Sequence, residues 1–218
     1  MGRWLADSEE ALPARAPAMG PRLVTSDELL VAGLRAGDVD ARARFFDAHA
    51  ADVRRILLRI LGSDVELPDL VQEVFLRAMT GIARLDDASS LRPWLTGIAV
   101  FTARECIRRR QRRRWLVFLP NEKLPEPEAD SACTDADASE ALAATYRVLE
   151  RLGVHERIVF TLRFIDGMEL LQIAEACDMS LSTVKRRLAA AERRFTSLAR
   201  HHPALSEWLQ RGDRWNGA

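Results

Sequence analysis

The chain has 218 residues, 48% of them apolar, with 32 Lys and Arg against 32 Asp and Glu. This is enough for one large or two small packed domains and excludes a disordered polyelectrolyte. No apolar run is long enough to span a bilayer, Met1–Pro21 has no apolar core followed by a cleavage site, and the expected location is cytoplasmic. Cys106, Cys133 and Cys177 are far apart and odd in number, giving neither a disulfide framework nor a CxxC metal or redox pair.

Residues 1–24 carry no periodic pattern and are expected to be a disordered extension. Thr25-Ser26-Asp27-Glu28 fits a capping box that starts a helix with Leu29, Leu30 and Leu34, stopped by Gly37. A longer helix follows from about Asp40 to Leu61, with Phe45, His49, Val53, Ile56 and Ile60 at helical spacing and Gly62 at its end. A third helix starts near Pro68, which a first turn tolerates. Leu70, Val71, Val74 and Phe75 form its apolar stripe, leaving Asp69, Gln72, Glu73 and Arg77 on other faces. A polar loop over 84–92 leads to a fourth helix near Pro93, which ends in an arginine cluster, six of the seven residues 108–114.

Pro120–Ser139 reads as a linker: three prolines, many acids and few large apolar residues. It divides the chain into a helical domain over 25–115, a linker over 116–139 and a second helical domain over 140–200, with a tail over 201–218. In the second domain, helices are expected over 141–152 and 155–165, the latter closed by Asp166-Gly167. Leu170–Cys177, the turn Asp178-Met179-Ser180 and a basic helix from Leu181 to about Leu198 then form a helix-turn-helix pattern. Strand-type alternation is absent, and the expected fold class is all-α.

In the last helix Val184, Leu188, Ala191 and Phe195 share the inward stripe, while Ser182, Lys185, Arg186, Ala189 and Arg193 project outward. Ser180 suits the N-cap, which leaves first-turn N–H groups free for a phosphate. Ser182, Lys185 and Arg186 are placed for base reading or close approach, and Arg187 and Arg193 for the DNA backbone. Thr183 completes this set. The balanced net charge hides local segregation: two basic patches flank an acidic segment, and patches rather than the net charge set the footprint on a polyanion.

Asp69-Leu70-Val71-Gln72-Glu73-Val74-Phe75-Leu76-Arg77-Ala78 resembles the core-polymerase-binding helix of sigma-70 family proteins. Leu91-Arg92-Pro93-Trp94-Leu95-Thr96-Gly97-Ile98-Ala99 is similar to the helix after it, and Ser180–Leu188 to the family's minus-thirty-five reader. With two domains and a short linker, the chain resembles the extracytoplasmic-function class. The resemblance implies that Asp69, Gln72 and Glu73 dock on core RNA polymerase. It also implies that Ser89, Ser90, Trp94, Arg104, Arg108, Arg109 and Arg112 serve the minus-ten element, where bases are unstacked and held as a single strand. Partners implied are core polymerase, promoter DNA and an anti-sigma factor; no cofactor or metal is implied.

The sequence departs from the family pattern at Phe101, where a polar residue is usual, and at Glu105 in place of Asp. Gly153 stands where Pro is usual and Asp178 where the reader's turn commonly has Gly. Leu205, Trp208, Leu209 and Trp215 are spaced for a short amphipathic helix packing back on the reader domain. His201-His202 lacks further ligands and reads as a solvated pair. A helix-turn-helix regulator acting without polymerase would explain residues 170–195 but not the two N-terminal motifs. No phosphate loop, nucleophile elbow or acid–base constellation suggests an enzyme.

Overall fold

The computed structural model describes residues 25–62, 64–116 and 136–205, all of whose regular elements are helical. Helix α1 (Ser26–Ala36) opens on the expected capping box: the Thr25 hydroxyl accepts from the Glu28 N–H at 3.2 Å and the Glu28 carboxylate from the Thr25 N–H at 2.7 Å. Gly37, in the left-handed region at φ 77°, ends it. Asp38 caps α2 (Val39–Leu61), whose stripe of Phe45, Val53, Ile56 and Ile60 is buried. At Gly62 the backbone takes φ 80°, ψ −171°, a region essentially reserved for glycine, and the chain leaves the helix there.

Helix α3 (Leu67–Gly81) has Pro68 in its first turn and buries Leu70, Val74 and Phe75 against α2. The phenyl rings of Phe45 and Phe75 meet edge to face, centroids 5.4 Å apart. The expected polar loop is two short 3-10 turns, Ile82–Arg84 and Ala88–Ser90, after which α4 (Leu91–Leu116) begins two residues before Pro93.

Helix occupies both ends of the expected linker: α4 reaches Leu116 and α5 (Ala136–Glu150) starts four residues before the expected domain boundary. Glu140, in its second turn, is exposed. Residues 117–135 lie outside the described part, as do 1–24 and the tail residues Trp208, Leu209 and Trp215.

Helix α6 (Val154–Phe160) continues into a π-helical turn over Thr161–Ile165, closed by an Asp166 N–H to Thr161 carbonyl bond of 3.0 Å. Gly153, before α6, adopts φ −62°, the value a proline would impose, so its departure from the family leaves the backbone path intact. Helix α7 (Leu170–Ala176) and α8 (Leu181–Ala199) form the helix-turn-helix. Asp178 in the turn has φ 52° and is the non-glycine residue with positive φ among those described, which explains why glycine is common there. Leu205, 2% exposed, packs with Phe160 and Phe195 against α5 and α8, so the tail's first residues do fold back on the reader domain.

The two halves that the sequence separates share one core. Buried residues of α2, α3 and α4 run continuously into Ile158, Val159, Leu162, Ile173, Ala174 and Cys177. Polar bonds fasten the same joint. The buried Arg157 guanidinium donates to the Ile60 and Leu61 carbonyls at 2.9 and 3.1 Å, satisfying groups that the end of α2 leaves without helical partners. Asp166, whose side chain is 5% exposed, is held by Arg55 and by Arg59, the latter at 3.0 Å. The Tyr146 hydroxyl lies 3.2 Å from the Arg59 carbonyl.

Candidate nucleic-acid and polymerase interface

Three surfaces carry the residues expected to be functional. On α3, Asp69 and Gln72 are exposed and Glu73 is half-buried, its carboxylate 2.5 Å from Arg77. Leu76, 63% exposed, completes their i, i+3, i+4, i+7 stripe, and Phe46, also exposed, leans on Phe75 with centroids 4.7 Å apart. The sequence reading omitted Leu76 and Phe46; the seven-residue step from Asp69 to Leu76 is the signal that could have found the first.

The second surface is a cavity of about 780 Å³ between the turns before α4, α4 itself and the end of α7. Ser90, Trp94 and Arg104 line it. Trp94 is half-buried against Gly81, where an added Cβ would stand 3.2 Å from the indole, so it acts as both core packing and cavity wall. Ser89 is exposed, and its hydroxyl is engaged by the Asp87 carboxylate rather than offered to the cavity. Phe101 adds an aromatic wall, 40% exposed, with the Arg77 and Arg104 guanidinium groups 4.9 and 5.0 Å from its ring centroid. Glu105 accepts from Arg77 at 2.6 Å, so both departures from the family pattern belong to one cluster.

The arginine cluster splits by face. Arg112 is exposed. Arg109 lies 3.3 Å from Glu66, which also takes Arg110 at 2.8 Å, so this side of the cluster is neutralised within the fold. Arg110 foremost, through its hydrogen bond, and then Arg109 keep the Glu66 carboxyl below its ordinary value, against the effect of its burial. Arg108 points the other way, toward the His155 Nε2 at 3.3 Å. Burial first, and then Arg187, Arg104 and Arg108, push the His155 imidazole below its ordinary value, which favours the neutral ring as an acceptor.

The third surface is α8. The Ser180 hydroxyl caps it, accepting from the Thr183 N–H at 3.3 Å. Val184, Leu188, Ala191 and Phe195 are buried, while Ser182, Lys185, Arg186 and Arg193 are exposed and Thr183 is half-buried. Arg187 faces the joint instead: its Nε is buried without a partner, and its charge bears on His155 and Cys177. Among the described residues there is no group of His, Cys, Asp and Glu that could hold a metal, and no helix long and apolar enough to cross a membrane. Cys106 and Cys177 are buried free thiols, and burial pushes Cys177 up to about 11.

Comparison with known proteins fits this geometry. Residues 45–113 match sigma-70 region 2 and residues 142–195 match sigma-70 region 4, together more than half of the chain. The ECF RNA polymerase sigma-E factor of Haemophilus influenzae is 27% identical over 178 residues, 76% of this chain and 91% of that protein. The ECF RNA polymerase sigma factor SigW of Bacillus subtilis is 27% identical over 170 residues, 71% of this chain and 87% of SigW. Among solved structures, CnrH, in complex with the cytosolic domain of CnrY, shares the fold at a TM-score of 0.55 and 20% identity, covering 80% of this chain and 97% of CnrH. RpoE of Bartonella quintana, in complex with the anti-sigma factor NepR, does so at 0.54 and 20%, covering 73% and 97%. Region 2 spans the α3 stripe and the cavity-lining helix, region 4 spans the helix-turn-helix, and the chain belongs to the sigma-70 family, in its extracytoplasmic-function class.

Proposed function

We propose that this chain binds core RNA polymerase and directs it to promoters carrying its own minus-ten and minus-thirty-five elements. The observation that carries the reading is the presence in one chain of three separate surfaces: a polar docking stripe, a strand-sized cavity walled by aromatics and arginines, and a Ser180-capped basic reader helix. A regulator acting on duplex DNA alone needs only the third.

The assignment of roles follows from chemistry. Asp69, Gln72 and Glu73, with Leu76 beside them, form a face suited to a partner helix: polar groups for register, an exposed leucine for apolar contact. Ser90, Trp94 and Phe101 offer the cavity a hydroxyl and two ring faces, and Arg104, Arg108 and Arg112 supply cations along an unpaired strand. Ser89 and Arg109 belong to this surface at its edges, Ser89 shaping the turn through Asp87 and Arg109 shared with Glu66. In duplex DNA, Ser182, Thr183, Lys185 and Arg186 at the start of α8 reach base edges, and Arg193, two turns on, meets phosphate. Arg187 joins them once it is released from the joint.

The protein acts in the cytoplasm, on DNA, by positioning polymerase rather than by catalysing a reaction itself. An anti-sigma factor is a further partner, as in the Bartonella quintana complex. The test is co-purification with core polymerase. The chain is expected to be retained, and Asp69→Ala with Glu73→Ala to be lost, while duplex binding through α8 persists. Retention of that double variant at full affinity would overturn the assignment of the docking face.

A further inference from the structure

Helix α4 turns a phenyl ring outward, into the cavity, at the position where the family usually has a polar residue. Val100 and Ala103 beside it are buried, whereas Phe101 is exposed and lines the cavity with Trp94, seven residues earlier on the same face of the helix. Two guanidinium groups hold the ring, Arg77 at 4.9 Å and Arg104 at 5.0 Å from its centroid. These two cations are not equivalent. Arg77 is fixed between Glu73 of α3 at 2.5 Å and Glu105 of α4 at 2.6 Å. Arg104 has no ion pair among the described residues, and its Nε–H is buried without an acceptor.

A phenyl ring offers a base a face and nothing else, since it has no donor or acceptor with which to read a base edge. The carboxylates nearest to it are already engaged. Glu105 accepts from Arg77, and Asp87, on the same cavity, holds Ser89. Aromatic faces flanked by cations hold an unpaired strand with little regard to sequence, because every base has a ring face to stack. A hydrogen-bonding side chain does the opposite, because a mismatched base leaves its polar groups unpaired.

We infer that Phe101 is a specificity-determining residue of this chain: it reads one base of the minus-ten strand by stacking alone, and Arg77 is the positioning residue that keeps its ring turned to the cavity. This rests on the assignment of the cavity to the unpaired strand. In the loaded site Arg77 stays on the ring, because two carboxylates fix it. Arg104, with no acid to leave, exchanges its place at the ring for a backbone phosphate, and the base takes the ring face. The consequence is a minus-ten element with one degenerate position. Purines, with the larger ring face, are favoured there over pyrimidines, and no base is excluded.

The experiment uses the full chain reconstituted with core RNA polymerase and a forked promoter fragment, taken from a start that the chain itself supports, with its minus-ten strand unpaired. Each base of that strand is replaced in turn by an abasic site and by difluorotoluene, a nonpolar ring without strong hydrogen-bonding groups, and affinity is read by competition. One position is expected at which the abasic site weakens binding about tenfold while the nonpolar ring keeps it within about twofold. Phe101→Ala should lose about the same tenfold on intact DNA and become indifferent to the abasic site at that position, with the other positions unchanged. Phe101→Leu, which keeps an apolar side chain but no ring face, should match it, and Phe101→Trp should bind as wild type does. Arg77→Gln should shrink the intact-to-abasic ratio there by about threefold, a ratio in which any change in docking through Glu73 cancels.

An abasic penalty that persists in Phe101→Ala and Phe101→Leu would overturn the inference. So would a nonpolar ring that binds as poorly as the abasic site, because the base would then be read by hydrogen bonds. An unchanged ratio in Arg77→Gln would remove Arg77 from the reading. If core polymerase and the chain together start on no template, the reading of the chain as an initiation factor fails and this inference with it. Starts without a Phe101-dependent position would overturn this inference alone.

Discussion

Replacing Arg157 with Met should weaken the whole molecule and uncouple its halves. The guanidinium is 7% exposed and donates to two carbonyls, at 2.9 and 3.1 Å, where α2 presents its negative end. Hydrogen bonds to a charged group contribute ~1.5–3 kcal/mol each. The helix end adds up to ~2 kcal/mol in a partly buried setting. Against this stands the cost of keeping a cation out of water, several kcal/mol in a protein interior. Met keeps the apolar stem, so the cavity contribution is small, and the net loss is ~2–3 kcal/mol. With a urea slope of ~1–3 kcal/mol/M, the midpoint should fall by about 1 M. The assay is urea unfolding followed by far-ultraviolet circular dichroism, with Trp94 and the other tryptophans as a second probe. Wild type should give coincident transitions, because both halves share a core. Arg157→Met should give a lower midpoint and separated transitions. A midpoint within about 0.3 M of wild type at unchanged slope would refute the idea that this cation fastens the joint.

Other expectations follow from single positions. Gly62 combines a glycine-only backbone with a Tyr146 ring atom 3.1 Å from any added Cβ, so Gly62→Ala should cost ~1–3 kcal/mol in the same unfolding assay. Asp178→Gly relieves a left-handed residue and should raise stability by up to ~1 kcal/mol, with duplex affinity unchanged; a loss of stability would show that the Asp side chain has a role of its own. Lys185→Ala and Arg186→Ala should each weaken duplex binding by ~1–3 kcal/mol if they read base edges, whereas a purely phosphate contact would mainly lower the salt dependence of affinity. For pH, His155 is held below its ordinary value of 6.5 when the joint is closed. As pH falls through 6.5 the open form takes up a proton that the closed form resists, so closure weakens down to the depressed value and is fully present above 6.5. Small-angle scattering should therefore show expansion on going from about pH 7.5 to 5.5, absent in His155→Gln.

Local signals wrote most of this fold into the sequence. The Thr25–Glu28 box, Gly37 and Ser180 end or begin helices through bonds between near neighbours, and the stripes of α2 and α8 are buried as their spacing requires. Even the departures at Gly153 and Asp178 are explained by their φ values. What local patterns did not contain is the joint. Arg157 reads as an ordinary exposed helix position until Ile60 and Leu61, nearly a hundred residues earlier, are brought to it. The arginine cluster likewise looked uniform, yet Glu66 takes Arg109 and Arg110 while Arg108 turns to His155. Side-chain direction around a helix is legible from sequence, but the neighbour that meets each direction is a tertiary fact. Leu76 and Phe46 were passed over for a related reason: apolar residues within a helix read as core, and only the packed structure shows them facing outward.

This chain makes polymerase start at promoters it selects. The direct measurement is transcription from a genomic fragment library by purified core RNA polymerase, with and without the protein, with transcript 5′ ends mapped. New starts are expected only when the protein is present, preceded by shared elements near minus ten and minus thirty-five and lost with Lys185→Ala/Arg186→Ala. Specific duplex binding with no association with core and no new starts would contradict it.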